Sequence, residues 1–582
     1  MTVSDQDARD RAIRADRSYC VTAPAGSGKT SLLVQRYLAL LTRVERPESI
    51  CAITFTRKAA AEMRQRVLDA LTLAQRGRQA DNAYEQRTVD LARQALSHAR
   101  ELQWSFLESP ACLRIQTIDS LCAELARQMP LASGTGGSVD IADKPLALQR
   151  SAIMRFLECE LDHADAGRRS DVRRLLLHLD NNWEQAITLL SRLLDQRAQW
   201  QPLLVNGARD DDSNLLQKSL DRLACEQLLR VREAFDEKSN ALLDLYRHRC
   251  QKLSRAASWN PDSEALSDWQ DLASMLLTKD RKGWRKTVTK AQGFPVDTAN
   301  DKAFKREMLD LLASYREESN AYRLATLQHL LELPLGQKTW PGSGVLAGLL
   351  RLLPRLAAEL LIEFRSSAQN DYTQVALAAL QALGTDESPT DLALRLDYRL
   401  EHLLVDEFQD TSNVQFELLR RLIRGRDEHK HTFPNNPRTR FLVGDAQQSI
   451  YGIRQANVAL FLQAREHGIG DFPLQRLDLA VNFRSAPELV RWVNEHFSAA
   501  LPAQDDLQLG AVAHLAAEAA RDSRGSVDVE LLYSEDEEDS AAEAELALLC
   551  DKVEKGVADP AVTSIAILGR SRTVLRPIVR AL

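Results

Sequence analysis

The feature that most restricts the fold of this chain is a loop of small residues near the N-terminus, "APAGSGKT" at residues 23–30. The apolar run "SYCVT" before it predicts a strand, and "SLLVQRYLALL" after it predicts a helix. Small residues allow the backbone N–H groups of such a loop to approach an anion at the N-terminus of the helix. Lys29 can then reach the outer phosphates of a bound group, and the Thr30 hydroxyl can bind Mg²⁺.

The residues expected to surround the phosphates form one continuous run: Ala23, Pro24, Ala25, Gly26, Ser27, Gly28, Lys29 and Thr30. Ala23 stands where the usual form of this motif has glycine, and an ordinary Gly-Ser-Gly turn is the alternative interpretation. The order of strand, loop, Lys-Thr pair and helix favours phosphate binding.

Composition limits the class of protein. The chain has 582 residues, 44% of them hydrophobic and 27% charged, which is typical of a globular protein with about three or four structural units. No run approaches the ~20 apolar residues of a membrane span, so we expect a cytoplasmic protein with no membrane partner. A net charge of −7 means that any nucleic-acid contact must come from local patches. The eight cysteines include no C-x-x-C pair, which argues against a thiolate metal site.

The pattern of elements changes along the chain. Residues 1–130 alternate short β-branched runs with helical ones, as expected of an α/β unit, whereas 131–395 have Leu-rich helical periodicity and predict a helical insertion. In residues 396–480 two strands, "HLLVDEFQD" and "RFLVGDAQQ", should join the first sheet. Residues 481–582 predict a second α/β unit, with strands in "SVDVELLY" and "SIAILGRS".

Two acidic residues, Asp406 and Glu407, directly follow the first of these returning strands. We expect the pair to lie beside the phosphate loop, because open α/β sheets bind ligands at the carboxyl ends of their strands. One carboxylate can hold Mg²⁺ while the other polarises the water that attacks a phosphate. The alternative is an ordinary polar strand end.

Further residues have the chemistry of a phosphoryl-transfer site. Two glutamines, Gln447 and Gln448, follow the strand that ends near Asp445, and an amide there can contact a terminal phosphate. In "VNFRS", Arg484 can stabilise charge on a transferred phosphoryl group, and Phe483 offers an aromatic face to a base. Taken alone, such a phenylalanine is most often core and such an arginine most often solvated.

Six motifs then occur in order: "APAGSGKT", "TFTRKAAAEM", "TIDSLC", "LLVDEFQDTS", "VGDAQQSIYGIR" and "NFRS". Together they resemble a superfamily 1 DNA helicase of the UvrD/Rep/PcrA type, nearest to the RecB and AddA branch. The resemblance implies an α/β fold: a RecA-like P-loop NTPase motor domain with a large all-helical insertion and part of a second RecA-like domain.

The resemblance also implies ATP and Mg²⁺ as cofactors and a role for each motif residue. In the nucleotide site, Lys29 and Thr30 would hold phosphate and Mg²⁺, Asp406 the metal, Glu407 the attacking water, Gln448 the γ-phosphate, Arg484 would be the first arginine finger, and Phe483 would stack on adenine. The residues implied in DNA contact are Phe55, Thr56, Thr117, Ser120 and Arg454.

The function implied is ATP-driven movement along single-stranded DNA, typically 3′ to 5′, with unwinding of duplex ends in double-strand-break repair and recombination. An AddB- or RecC-like protein is the expected partner. Two other classes remain open: a nucleotide-gated DNA-binding protein without turnover, and a P-loop enzyme acting on a small molecule.

Two departures from the family pattern matter. Where relatives have a glutamine that recognises adenine, this chain has Arg9, and Gln6 lies one helical turn earlier, so recognition of adenine stays open. The "GLE" and "YVALTRA"-like motifs, the second arginine finger and a nuclease domain do not occur in the sequence. We therefore expect the N-terminal part of a longer protein, incomplete for full activity.

Overall fold

The structure is a computed structural model. It describes these residues: 3–77, 82–104, 106, 108–131, 133, 140–207, 212–235, 239–252, 265–317, 321–333, 343–423, 437–450, 452, 455–470, 472–507, 510–532 and 538–582. Arg454, one of the predicted DNA contacts, lies outside the described residues.

A parallel sheet of six strands lies at the centre of the first unit. Its strands are β1 (Tyr19–Thr22), β2 (Ile50–Thr54), β3 (Arg114–Thr117), β4 (His402–Val405), β5 (Thr439–Gly444) and β6 (Gln475–Asp478). The spatial order is β3-β2-β4-β5-β1-β6. Early and late parts of the chain therefore build one sheet, as the returning strand signals predicted.

Helices flank this sheet and fill the long segment between β3 and β4. The helices before β3 are α1 (Gln6–Ile13), α2 (Lys29–Leu41), α3 (Arg57–Gln75) and α4 (Ala83–Glu101). Those between β3 and β4 are α5 (Ile118–Gln128), α6 (Pro145–Leu161), α7 (Ala166–His178), α8 (Trp183–Asp195), α9 (Arg197–Gly207), α10 (Asp212–Ala234), α11 (Ser239–Lys252), α12 (Leu266–Leu276), α13 (Ala299–Glu317), α14 (Ala321–Glu332), α15 (Ser343–Ser367), α16 (Tyr372–Leu383) and α17 (Asp391–Arg399). In the described part of this segment there is no strand.

The remaining elements follow β4. The helices are α18 (Asn413–Leu422), α19 (Val458–His467), α20 (Pro487–Ala500), α21 (Glu538–Ala558) and α22 (Arg572–Ala581). Two short parallel strands, β7 (Val481–Asn482) and β8 (Glu518–Ala519), form a separate pair.

The sheet separates two hydrophobic cores. Successive residues of a strand point to opposite faces, so Cys20 and Leu403 belong to one core while Val21 and Leu404 belong to the other. All four side chains are buried because helices cover both faces. The helical segment has two further cores of its own. Helices α6–α8 and α10–α15 thus pack around cores distinct from the sheet, whereas α5, α16 and α17 pack in one of the two sheet cores.

Helix α8 illustrates why the helical periodicity was informative. Ile187, Leu190 and Leu194 recur on one face and are buried, while the Asn182 side chain caps the N-terminus by accepting a hydrogen bond from the backbone N–H of Gln185. In the described residues, no helix combines the length and apolar character that crossing a membrane requires. All eight cysteines are free thiols, four of them buried.

The prediction of strands in "SVDVELLY" and "SIAILGRS" is wrong for this structure. Both segments are irregular in their described residues, and large apolar side chains in them stay exposed: Val529 by 65%, Leu531 by 72% and Leu568 by 95%. A strand needs a neighbouring backbone to satisfy its N–H and C=O groups. Among the described residues after 480, only β7 and β8 pair as strands, and Asp506 and Ala511 form an isolated bridge.

Candidate active site

The phosphate loop connects β1 to α2 through a sharply curved backbone. Gly26 and Gly28 both have left-handed φ values, 78° and 82°, which glycine adopts without steric cost. A Cβ on Gly26 would lie 2.5 Å from Asn482 Oδ1 and 2.9 Å from the Cβ of Arg484. Residue 26 must therefore be glycine for the segment carrying Arg484 to approach the loop this closely.

Hydrogen bonds hold the loop against the sheet. The Ala23 N–H donates to the Gly444 carbonyl at 2.9 Å, and the Ser27 N–H donates to the Pro24 carbonyl at 3.1 Å. The hydroxyls of Thr22 and Ser27 are buried without a hydrogen-bond partner among the described residues. Orphaned hydroxyls beside a helix N-terminus fit a polar group such as a phosphate.

The acidic pair lies beside this loop, as predicted. Lys29 Nζ donates to Glu407 Oε2 at 2.9 Å, and the lysine side chain is only 12% exposed. Gln409, which the sequence reading did not single out, joins the two strand ends: its Nε2 donates to Glu407 Oε2 at 2.7 Å, and its Oε1 accepts the Asp445 N–H at 2.9 Å. The only sequence signal for Gln409 was its position within "LLVDEFQD". The loop lysine and both acidic strand ends thus form one network.

Asp406 is the more deeply buried of the two acids. Its own N–H donates to the Ile53 carbonyl at 2.9 Å, and Asp406 Oδ1 accepts the N–H of Glu407 at 2.9 Å. Burial and the neighbouring Glu407 carboxylate raise the pKa of Asp406 to about 6. A carboxylate oxygen is a ligand type that Mg²⁺ prefers, so Asp406, whose neighbours include Lys29 of the phosphate loop, fits that ion.

Strand β4 reaches the phosphate loop without being the neighbour of β1. Strand β5 lies between them, with Val405 in register with Leu442 and Val21 in register with Val443. The Glu407 side chain bridges the gap, and Glu407 has a left-handed backbone, φ 49°, that is uncommon outside glycine. This turn directs the carboxylate across the end of β5.

Gln448 follows β5 and is tied to the same strand end. Its Nε2 donates to the Asp445 carboxylate, and its backbone N–H donates to the Asp445 carbonyl at 2.9 Å. Burial raises the pKa of Asp445 above its ordinary value. In this arrangement the Gln448 amide faces Asp445, so contact with a terminal phosphate requires the amide to exchange that bond.

The segment carrying Phe483 and Arg484 crosses the mouth of the phosphate loop. Asn482 Oδ1, another acceptor that the sequence reading missed, receives the N–H groups of Arg484 at 2.8 Å and Ser485 at 2.9 Å. Both predicted side chains are exposed, Phe483 by 45%. They are therefore available to a bound nucleotide.

A cavity of about 740 Å³ extends from Gly28 of the phosphate loop and has Phe483 in its wall. Arg9 also lines it and is nearly buried; its guanidinium lies 4.9 Å from the centre of the Phe483 ring. Arg9 pairs with Asp5 at 2.7 Å and donates to the Ser27 carbonyl at 2.9 Å. Arg9, which stands where relatives have a glutamine, thus supports the phosphate loop.

The predicted DNA-contact residues cluster at the ends of two neighbouring strands, since Thr54 of β2 is in register with Thr117 of β3. Phe55 is 8% exposed and belongs to a core, although it also lines a cavity of about 460 Å³. Thr117 is buried and caps α5 by accepting the N–H of Ser120 at 3.1 Å. Thr56 and Ser120 are exposed. The side chains of Phe55 and Thr117 are thus engaged in packing and capping.

A phosphate loop, a lysine that contacts an acidic strand end, and a parallel sheet between helices define a P-loop protein of mixed α/β fold. The model of the UvrD/REP helicase N-terminal domain family matches residues 5–468, and the chain belongs to this family.

Similar proteins are named as subunits of an ATP-dependent helicase/nuclease. The protein from Anoxybacillus flavithermus is 27% identical over 517 residues, which cover 81% of this chain and 38% of that protein. The Clostridium beijerinckii protein is 24% identical over 509 residues, covering 82% and 37% respectively. For Desulfitobacterium hafniense the identity is 27% over 541 residues, covering 84% of this chain and 35% of the relative. The chain thus spans less than two fifths of the length of these relatives.

Proposed function

We propose that the chain is the motor portion of an ATP-dependent DNA helicase of RecB/AddA type, serving double-strand-break repair and recombination. The observation that carries the proposal is the contact between Lys29 Nζ and Glu407 Oε2 at 2.9 Å. It joins a phosphate-binding lysine to a candidate base at the end of another strand. That combination is the working core of a nucleoside triphosphatase.

In the proposed reaction, Lys29 neutralises charge on the outer phosphates while Thr30 and Asp406 hold Mg²⁺. The ion, when bound, offsets negative charge that develops on the phosphoryl oxygens. Glu407 orients and polarises the attacking water, which requires its carboxylate to exchange the bond to Lys29. Arg484, next to Gly26, stabilises charge on the transferred group.

The layout of the sheet supports coupling between nucleotide and DNA. The proposed DNA contacts follow β2 and β3, the phosphate loop follows β1, and the acidic pair follows β4, which lies between the two groups. Thr56 and Ser120 offer exposed hydroxyls to a DNA backbone. We propose movement 3′ to 5′ along single-stranded DNA, starting from duplex ends.

The proposed domains follow the chain as the sequence predicted. Residues 1–130 and 396–480 build a first RecA-like domain, 131–395 a helical insertion, and 481–582 part of a second RecA-like domain. The change of sheet between Asp478 of β6 and Val481 of β7 supports the last boundary. The relatives are named as subunits, which implies that each works with at least one other chain and supports an AddB- or RecC-like partner.

The test is binding of Mg²⁺-ATP by the wild-type chain and by Lys29→Ala, measured by calorimetry. Loss of a charged hydrogen-bond donor at the phosphates is expected to weaken binding about 10- to 100-fold. Lys58→Ala removes an exposed lysine from α3 and serves as the control. Equal ATP affinity in wild type and Lys29→Ala contradicts the nucleotide site.

The helicase assignment needs a second measurement. ATP hydrolysis by the protein at its natural length is expected to rise when single-stranded DNA is added, because the two sites share one sheet. Hydrolysis that is indifferent to DNA favours an enzyme acting on a small molecule instead.

A further inference from the structure

The carboxylate of Glu407, the proposed base, is held at one of its two oxygens. Lys29 Nζ donates to Glu407 Oε2 at 2.9 Å, and Gln409 Nε2 donates to the same oxygen at 2.7 Å. Among the described residues, no hydrogen bond to Glu407 Oε1 occurs, and the side chain is 35% exposed. The oxygen that is open to a water molecule is therefore Oε1.

One of these two bonds is lost when a nucleotide binds. If phosphates occupy the loop, as the proposed function requires, Lys29 must turn toward them to neutralise their charge. Gln409 is then the side chain, of those that the structure describes, that still holds the Glu407 carboxylate. A reacting group that is misplaced by about 1 Å can cost roughly 10²-fold in rate. The remaining bond therefore decides how well the base is placed.

The amide of Gln409 has one possible direction. Its Oε1 accepts the backbone N–H of Asp445 at 2.9 Å. A backbone N–H only donates and an ionised carboxylate only accepts, so turning the amide over would set two donors against each other at Asp445 and two acceptors at Glu407. Gln409 is 1% exposed, so water does not compete for either of its bonds. The NH₂ group is thus fixed toward Glu407.

The end of β5 leaves space for this side chain at Gly444. A Cβ there would lie 2.7 Å from Gln409 Oε1 and 3.3 Å from the Gln409 backbone nitrogen. The carbonyl of the same glycine accepts the Ala23 N–H of the phosphate loop at 2.9 Å. Because β5 lies between β4 and β1, Gln409 ties the end of β4 to the strand that also holds the phosphate loop.

We propose that Gln409 is a positioning residue for ATP hydrolysis: it anchors Glu407 Oε2 to the end of β5, so that Oε1 stays directed at the attacking water after Lys29 has moved to the phosphates. Gln409 touches neither the water nor the phosphates. Its contribution to turnover therefore exists only while Glu407 is present. A glutamine that served only to satisfy the buried Asp445 N–H would affect the rate equally with and without Glu407.

The experiment is a double-mutant cycle of Gln409→Met and Glu407→Gln. ATP hydrolysis is measured for the protein at its natural length, at saturating Mg²⁺-ATP and with single-stranded DNA. Gln409→Met keeps most of the volume and lacks the amide, so kcat is expected to fall about 10- to 100-fold, with Mg²⁺-ATP affinity within about threefold of wild type. When Glu407→Gln is already present, Gln409→Met should lower kcat by less than about twofold.

Gln65→Met is the matched control. Gln65 is exposed on α3, and its Nε2 also donates to a carboxylate, Asp69 Oδ1, at 2.8 Å. Because this bond lies outside the nucleotide site, Gln65→Met should hydrolyse ATP at the wild-type rate.

A second variant serves if Gln409→Met shows no cooperative melting transition. Gly444→Ala leaves every polar side chain in place and displaces the Gln409 side chain, so kcat should fall at least about tenfold with Glu407 present and less than about twofold with Glu407→Gln. Gly283→Ala is its control, because nothing lies within 4 Å of the added Cβ.

The outcomes separate this inference from the proposed function. Wild-type turnover in Gln409→Met, or the same fold loss with and without Glu407, overturns the positioning role and leaves the proposed function intact. Wild-type turnover in Glu407→Gln, or no ATP hydrolysis by the wild-type protein, overturns the proposed reaction and the positioning role together.

Discussion

The backbone N–H of Phe483 donates a 2.9 Å hydrogen bond to the carbonyl oxygen of Gly26, so the phosphate loop is joined directly to the segment that follows the central sheet. Asn482 and Arg484 flank this bond and leave no space for a side chain at residue 26. Any shift of the loop is therefore transmitted to the two residues proposed to face the nucleotide.

Replacement of Gly26 by alanine tests this contact. Gly77→Ala is the control, because Gly77 has a similar left-handed φ, 66°, with nothing within 4 Å of the added Cβ. Both variants bear the left-handed strain of about 1 kcal/mol, but only Gly26→Ala adds a clash of about 1–3 kcal/mol. We expect Gly26→Ala to lower the melting temperature more and to weaken Mg²⁺-ATP binding at least about tenfold. Equal behaviour of the two variants contradicts the close approach.

Glu407→Gln is expected to retain Mg²⁺-ATP binding and to lower hydrolysis about 10²- to 10⁴-fold, because the amide keeps the shape but lacks the basic oxygen pair. The measurement is phosphate release by the protein at its natural length with single-stranded DNA present. Glu62→Gln, on the exposed side of α3, should hydrolyse ATP normally. Normal turnover in Glu407→Gln removes this residue from the mechanism, whereas ATP binding without hydrolysis by the wild-type protein favours a nucleotide-gated binding role.

Asp5→Asn probes the junction between α1 and β7. Burial raises the pKa of Asp5, but hydrogen bonds from Arg9 and from the N–H groups of Val481 and Ala480 outweigh it and hold the pKa below the ordinary 3.8. A carboxyl group whose pKa is lower in the folded state contributes its full stabilisation at pH values above its pKa in the unfolded state. This stabilisation is lost only as the pH falls through the lower, folded-state pKa. Asp5→Asn should therefore lower the melting temperature equally at pH 7 and pH 5. If the difference in melting temperature between wild type and Asp5→Asn disappears by pH 5, this prediction is contradicted.

The DNA site gives a prediction about salt and sequence. Binding of single-stranded DNA should fall steeply with salt and vary little among mixed sequences, because stacking and phosphate contacts do not read base edges. Phe55→Leu preserves most of the buried volume but removes the ring, and we expect about fivefold weaker binding. Phe106→Leu, a buried ring of the other core, is the control for packing. If DNA binding is unchanged in Phe55→Leu, the Phe55 ring contributes only to packing of the core and does not contact DNA.

Local patterns predicted the elements whose physics is local. The small residues before Lys29 predicted the turn, and the spacing of Ile187, Leu190 and Leu194 predicted a buried helix face, because both depend on neighbours within a few residues. The position of Asp406 and Glu407 at a strand end followed from the same logic.

Long-range contacts were beyond such patterns. Nothing in the spacing indicates that β5 lies between β4 and β1, or that Gln409 bonds to both acidic strand ends. The apolar alternation around Val529 suggested a strand, but no described backbone lies alongside to pair with it. Register and pairing depend on residues hundreds of positions away, which a single sequence does not encode locally.

The place of β1 in the sheet also sets the order in which the chain can acquire structure. Its neighbours on both sides are β5 and β6, beginning at Thr439 and Gln475, so the nucleotide strand has no partner while the intervening segment is being made. At about 5–20 residues per second, translation of the residues between β1 and β5 takes roughly 20–80 s, and β1 has no neighbouring strand during that time. The helical segment can complete its own cores within that interval, because all of its helices precede β4 in the chain. Nucleotide binding is therefore acquired late in synthesis, after the helical segment has formed.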